Sequence, residues 1–354
     1  MKGKLLKVRS GLKTNHVDSI LITSPINRRY VTGFTGTAGS AVISETDARF
    51  ITDFRYTEQA KTQAEDFEVV EHRGPMIDEI NNQLKEMDVK RLGFEKEYVT
   101  YSQYELFQKK LDVELVPIGG LIEEIRMVKT NEELAIMKKA AAIADHAFEH
   151  IQQYIKPGVK EIDIANELEF FMRKQGATSS SFDIIVASGW RSALPHGVAS
   201  SKTIESGELV TLDYGALYNG YCSDITRTLA VGEIDNRLRE IYNTVLEANR
   251  LGLQGIKPGI TGKEVDSIPR SYIKEQGYGD YFGHSTGHGL GLEVHEGPTL
   301  SSRSEQRLKP GMVVTVEPGI YVAGLGGCRI EDDIIITETA NERLTYATKE
   351  LIQL

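Results

Sequence analysis

Glu208–Val231 reads ELVTLDYGALYNGYCSDITRTLAV, and the stretch is organised around a turn. Asn219-Gly220 supplies two residues that tolerate positive φ, which a type I′ hairpin turn requires at both central positions. With the turn there, Tyr218 faces Tyr221, Gly215 faces Asp224 and Asp213 faces Thr226. Strand side chains alternate between faces, so Asp213 and Asp224 become diagonal neighbours on one side of the ribbon. Two like charges that close repel unless one takes a proton or a cation lies between them. For this ribbon alone, a pair of solvated acids on a polar face is an equally good explanation. The rest of the chain decides.

The chain after the ribbon repeats the chain around it. IKPG at Ile155–Gly158 returns at Ile256–Gly259, and Gln175-Gly176 returns at the same offset as Gln276-Gly277. Each IKPG is expected to close one helix (about 131–154 and 235–254) and to open another (about 160–175 and 262–276). Thr130 or Asn131 can cap the first, whose acidic Glu132-Glu133 suits the helix dipole. Each half then runs through a glycine-rich loop bearing a histidine, Pro195-His196-Gly197 or His295-Glu296-Gly297, and ends in a hairpin. Leu209–Asp213 (LVTLD) has its counterpart in Val313–Glu317 (VVTVE). Two helix–helix–hairpin halves about a pseudo-twofold axis would bring their acids together near that axis.

The second hairpin, Met312–Thr337 (MVVTVEPGIYVAGLGGCRIEDDIIIT), contributes Glu317 where Pro318-Gly319 ends the first strand, and Glu331 on the return strand. Between the hairpins, GHSTGHGLGLEVHE (Gly283–Glu296) spaces His284, His288 and His295 along glycines, which let side chains crowd a small object. Four carboxylates and one neutral imidazole carry a charge that two divalent cations balance. Carboxylates dominate the set, so Mn²⁺ or Co²⁺ suits it better than Zn²⁺, whose structural sites favour thiolate and imidazole.

Upstream, residues 1 to about 120 alternate strand-like runs (Ser19–Thr23, Ser40–Ser44, Ala48–Thr52, Phe67–Glu71, Val113–Pro117) with helical ones (Thr57–Glu65, Met76–Glu86), a small α/β domain. Thr32–Gly39 (TGFTGTAG) reads as a functionally placed loop; the lysine and helix of a phosphate-binding loop are missing. Gly119-Gly120 marks the boundary, giving domains 1–122 and 123–354 in an α+β chain. A net charge of −10 disfavours nucleic acid and anionic membranes as partners. No run of 18 apolar residues suggests a membrane span, and the basic amino terminus lacks the apolar core of a secretory signal. Two cysteines, Cys222 and Cys328, make no disulfide framework and read as buried apolar residues. The expected location is cytoplasmic.

In order and spacing, LDYGALYNGYCSDITRT, STGHGLGLEVHE, VEPGIY and RIEDD resemble the metal-binding motifs of the pita-bread metallopeptidases, over residues 125–354. YVTGFTGTAGSAVI and FITDFRYTEQA resemble the creatinase-type N-terminal domain of the Xaa-Pro branch, which contains prolidase and aminopeptidase P. The resemblance implies that Asp213, Asp224, His288, Glu317 and Glu331 ligate two divalent metals, with Asp224 and Glu331 bridging them. It implies catalytic or substrate-binding roles for His196, His284 and His295, and pocket or supporting roles for Tyr321 and Arg329. The implied reaction is hydrolysis of the bond before proline by water activated between the metals. His284 and His295 would stabilise the oxyanion, Glu317 would carry a proton to the leaving nitrogen, and His196 would hold the proline side. The implied substrate is a proline-containing dipeptide or, for aminopeptidase P, a longer peptide; the implied assembly is a homodimer joined through N-terminal domains.

Two rivals come from other classes. Gly283–Gly287 satisfies the serine-hydrolase pattern G-x-S-x-G, but no histidine follows residue 295 and Gly287–Gly291 cannot open a helix. A pita-bread module that binds peptides without cutting them would have lost metal ligands, and all five are present. His16, His72, His146 and His150 are left as ordinary polar residues, Trp190 as a packing residue, and Tyr321 also reads as core. Arg329 is expected to share a strand face with Glu331.

Overall fold

Six strands of the computed structural model, which describes residues 2–354, form the sheet of the first of two compact units, divided between Arg126 and Met127. Its strands are β1 (Ser19–Ile22), β2 (Ser40–Ser44), β3 (Ala48–Thr52), β4 (Glu68–Glu71), β5 (Arg91–Glu95) and β6 (Glu114–Ile118), in the order β4-β3-β2-β1-β5-β6. β1–β2 and β2–β3 pair antiparallel, the second as a hairpin, whereas β1–β5, β5–β6 and β3–β4 are parallel. Helices α1 (Lys2–Thr14), α2 (Pro25–Thr32), α3 (Thr57–Gln63), α4 (Met76–Glu86), α5 (Tyr101–Lys110) and α6 (Leu121–Met127) complete the unit. Leu21, Val42, Ile51, Leu84, Leu92 and Phe107 belong to one buried core. Thr32, read as loop, is the last residue of α2, and Gly33 ends that helix at φ 78°. The division falls at the last residue of α6, whose Arg126 donates to the buried Asn27 of α2.

In the second unit, α7 (Asn131–Ile151) packs on α8 (Glu161–Lys174), and α9 (Asn236–Gly255) on α10 (Gly262–Glu275). Thr130 and Thr261 begin α7 and α10 with reciprocal capping boxes, each side chain accepting the N–H three residues on. After the first pair come β7 (Ser179–Ser180), β8 (Ile185–Ser188), β9 (Glu208–Tyr214), β10 (Ala216–Tyr218), β11 (Tyr221–Cys222) and β12 (Ile225–Val231). After the second come β13 (Gly287–Gly289), β14 (Glu296–Leu300), β15 (Val313–Val316), β16 (Gly319–Val322), β17 (Gly326–Arg329), β18 (Asp332–Ile336) and β19 (Asn341–Arg343). This is the pita-bread order, one helix pair and one acidic hairpin per half.

The turn of the first ribbon is where the sequence places it, with Asn219 at φ 48° and Gly220 at φ 85°. One register holds on both sides of a short break, from Tyr218↔Tyr221 to Ile225↔Tyr214, Thr226↔Asp213 and Val231↔Glu208. Val210, Leu212, Tyr214, Ile225, Leu229 and Val231 belong to the core built on α7 and α8. Alternation therefore turns Thr211, Asp213, Asp224, Thr226 and Thr228 to the opposite face.

The second hairpin departs from the simple two-strand reading. It is two ladders in one register, β15–β18 outside (Val316↔Asp332) and β16–β17 inside (Gly319↔Arg329). Glu317 and Glu331 both lie in the gap between them, opposite one another by register. Glu331 is thus not on a strand with Arg329, which ends β17. Pro318, with no N–H to give, breaks the ladder. Trp190 also differs: it is 57% exposed rather than packed.

Candidate metal centre and cleft

Nine of the ten residues singled out above line one cleft of about 760 Å³ in the second unit: Asp213, Asp224, His288, Glu317, Glu331, His196, His284, His295 and Arg329. Tyr321 joins through its hydroxyl, 2.8 Å from both Arg329 Nη1 and His284 Nε2. Asparagine 249 of α9, fully buried, helps to place two of the acids. Its Nδ2 donates to the carbonyls of Val316 (2.9 Å) and Ile330 (3.2 Å), the residues just before Glu317 and Glu331.

Asp224, His288 and Glu331 each offer a ligand atom within 4.8 Å of the others. His288 Nε2 lies 3.5 Å from Glu317 Oε1 and 3.7 Å from Asp224 Oδ2. Its Nδ1 is 3.1 Å from the Gly289 carbonyl, which can only accept, so the neutral ring carries its proton there. Burial holds His288 neutral, down to about 4, so Nε2 points a lone pair at two carboxylates. Asp224 Oδ1 and Glu331 Oε1 are buried with no hydrogen-bond partner. Burial first, and then the neighbouring acids, push Asp224 and Glu331 well above the ordinary carboxylate range. Burial likewise pushes Glu317 up to about 8, against the pull of Arg329. Orphaned carboxylate oxygens and an imidazole lone pair facing one another fit a cation-binding site. These donors fit divalent metal.

The other groups are held from behind. Asp333 Oδ2 accepts the Asp224 N–H at 2.9 Å, and Thr226 Oγ1 donates to Glu331 Oε2 at 2.6 Å. The Arg329 guanidinium is bonded to Asp213 Oδ2, to Thr226 Oγ1 (3.2 Å) and to the Pro195 carbonyl (3.1 Å), spanning both halves of the unit. His284 differs from the expected oxyanion donor. Its Nδ1 donates to the Ser285 carbonyl at 2.8 Å, and burial holds the ring neutral, down to about 4, so Nε2 accepts from the Tyr321 hydroxyl. No N–H of His284 is left for a substrate. His295, whose ring meets that of His288 edge-on at 4.3 Å, and His196 are exposed at the cleft.

Residues 135–338 match the model of metallopeptidase family M24, and residues 4–128 match the creatinase/prolidase N-terminal domain. The chain belongs to metallopeptidase family M24. M24 peptidases depend on a pair of divalent metals. This M24 peptidase is similar to an Xaa-Pro dipeptidase of Pyrococcus furiosus, 45% identical over 99% of this chain and 100% of the relative. Among solved structures it is similar to an Xaa-Pro dipeptidase from Bacillus anthracis, at 59% identity and TM-score 0.99, covering 100% of this chain and 99% of that one. An X-Pro aminopeptidase from Thermotoga maritima is 41% identical with TM-score 0.92, covering 98% of this M24 peptidase and 100% of its own chain. Among the described residues no helix is long and apolar enough to cross a membrane.

Phe182 and Asp183, which sequence reading passed over, also line the cleft of the M24 peptidase. Pairing runs from Ser180↔Ala216 to Ile185↔Asp213, so four residues stand opposite two and bulge towards the site. Register of that kind leaves no compositional trace. Val198 and Val294 add apolar wall.

Proposed function

We propose that this M24 peptidase is an Xaa-Pro dipeptidase, active as a homodimer in the cytoplasm, that hydrolyses dipeptides ending in proline. The observation that carries the reading is the five-residue donor set, complete and gathered at the floor of one cleft, in a chain alike over its full length to proteins named Xaa-Pro dipeptidase. Asp213, Asp224, His288, Glu317 and Glu331 would hold two divalent ions, with Asp224 and Glu331 shared. Manganese is the preferred metal, because oxygen donors predominate. The chemistry that bound cations supply is polarisation of the scissile carbonyl and a lowered pKa for water.

The chain's own residues do the rest. Glu317, 3.5 Å from His288 Nε2, carries a proton towards the proline nitrogen as it leaves. His295, exposed at the cleft, donates an imidazole N–H to the developing oxyanion. His284 acts through Tyr321, fixing the hydroxyl that Arg329 also holds. His196 closes the proline side.

The likeness to an X-Pro aminopeptidase favours a second reading, in which longer peptides are cut after their first residue. An Xaa-Pro dipeptide and an Xaa-Pro-Xaa tripeptide, assayed side by side, decide between them. The dipeptide should be the better substrate, chelation should abolish turnover and Mn²⁺ should restore it. Glu317→Gln should lower kcat by about 10²-fold or more. Turnover that survives both chelation and this substitution would exclude the reading, and peptide binding without turnover by the metal-loaded wild type would leave a peptide-binding module instead.

A further inference from the structure

Two buried carboxylates stand behind the cleft, each on the second helix of its half and each tied to an arginine. Asp266 of α10 is 1% exposed. Its Oδ1 accepts the Thr286 N–H (3.0 Å), the Thr286 hydroxyl (2.8 Å) and Arg270 Nη2 (2.8 Å), while Oδ2 accepts Arg270 Nε (2.7 Å). Arg270 donates onward to the carbonyls of His284 (2.7 Å) and Phe282 (3.0 Å). Its guanidinium carbon also lies 4.3 Å from the centre of the Phe282 ring, whose edge meets His284. One acid and one arginine thus grip Phe282, His284 and Thr286, every second residue of the loop.

The first half has the same device. Glu161 of α8, fully buried, accepts Ser188 N–H (2.8 Å) and Oγ (2.9 Å) on one oxygen. Its other oxygen accepts Ser200 N–H (3.2 Å) and Oγ (2.7 Å) and pairs with Arg191, which donates to the Val198 carbonyl at 2.8 Å. His196 lies within the loop so fastened.

We propose that Asp266 and Arg270 are positioning residues for His284, with Glu161 and Arg191 as the matching grip on the His196 loop; this rests on the dipeptidase reading of the cleft. The loop needs such a grip. Gly283 and Gly287 flank it: a Cβ at Gly287 would stand 1.9 Å from the Thr315 carbonyl oxygen, whereas one at Gly283 would meet nothing within 4 Å, so close packing holds the backbone at the Gly287 end and not at the Gly283 end. An ion pair such as Asp266–Arg270, its acid buried and its arginine partly exposed, contributes little net stability, whereas its hydrogen bonds fix geometry. The geometry fixed here is that of the ring whose Nε2 receives the Tyr321 hydroxyl.

The experiment uses the full-length, metal-loaded enzyme and two readouts, peptide-resolved modification of histidines by diethyl pyrocarbonate and steady-state kinetics. Arg270→Gln should raise the modification rate of His284 several-fold and lower kcat about tenfold or more, with KM little changed. Arg191→Gln, an equal structural insult to the other half, should leave His284 reactivity as it is and act on KM. Arg270→Lys, which keeps the charge without the fork, should fall between wild type and Arg270→Gln. In a His284→Ala background Arg270→Gln should have no further effect on kcat. Should Arg270→Gln fail to fold, Asp266→Asn keeps the Thr286 contacts, loses the ion pair and should raise His284 reactivity in the same way. His284 reactivity that rises equally in the Arg270 and Arg191 variants, or in neither, overturns the proposal, as do kcat effects that multiply in the double variant. Absence of dipeptide turnover in wild type would count against the substrate reading, while His284 reactivity would still decide the positioning role.

Discussion

Glu317 shows what the site costs the protein before metal arrives. Burial raises its carboxyl to about 8 from an ordinary 4.5, and Asp224 and Glu331 are raised as well. A raised carboxyl binds more protons folded than unfolded, so its contribution to stability is present at low pH and is lost as pH climbs towards the folded value. The opposite contributions of His284 and His288, held down to about 4, are confined to pH below 6.5. Between pH 6.5 and 8 the sign is therefore set by the acids. Chelated protein should lose Tm by several degrees across that interval, Glu317→Gln should lose less, and saturating Mn²⁺ should flatten the dependence. Thermal unfolding at the two pH values checks this, and a chelated Tm that rises with pH would contradict it. At this scale the sequence was most informative where chemistry is unusual. An aspartate diagonal to another on a ribbon, or a histidine among glycines, has an equally good solvated explanation alone and becomes legible once the second hairpin supplies further acids for it to meet. Asp266, Glu161 and Asn249 were illegible, since a buried acid or amide that ties down a loop looks like any polar residue on a helix.

The ribbons depend on breaks as much as on strands. Between β9 and β10, Gly215 lies so close to the returning chain that an added Cβ would stand 1.7 Å from the Ser223 carbonyl oxygen. The clash is with backbone, one residue from Asp224, and Ser223 closes the break by bonding Ala216 in both directions. Gly215→Ala should therefore cost about 1–3 kcal/mol and take metal affinity with it, because relief requires moving the Asp224 backbone. Denaturant unfolding and metal analysis of the purified variant test this; full metal content at wild-type stability would sink it. Turn chemistry at Asn219-Gly220 announced the first ribbon and its register. The nested ladders of the second hairpin were not announced, since Pro318-Gly319 reads as an end and not as a pause. Helices α2 and α5 went unread although Ser24-Pro25 and the Thr100/Gln103 capping box begin them, because their short apolar patterns are weak.

Duplication is legible at the level of the molecule because it is carried by order, which survives divergence of individual residues. IKPG, Gln-Gly and the acidic strand recur in sequence, and the structure turns that order into two helix pairs and two ribbons within one unit. All five proposed ligands lie on the second unit, on or beside β9, β12, β13 and the gap between the β15–β18 and β16–β17 ladders. The first unit has its own sheet and its own core, with no member of the donor set. Binding free energy should therefore appear as protection of particular amides. A ligand that binds only the native form stabilises it by RT ln(1 + [L]/Kd), about 2.7 kcal/mol at a hundredfold excess over Kd. Local opening of the ribbons breaks the donor set and must lose that energy, whereas local opening within β1–β6 leaves the set intact. Hydrogen exchange with and without Mn²⁺ should then show slowing on chelator removal and metal addition at residues 208–231 and 283–336, with residues 19–118 unchanged. The decisive contrast is the fraying that leaves the rest of each unit folded, seen at early exchange times. Slowing spread evenly over both units would mean that metal couples to the first sheet as strongly as to the ribbons, and the ligand assignment to the second unit alone would have to be abandoned.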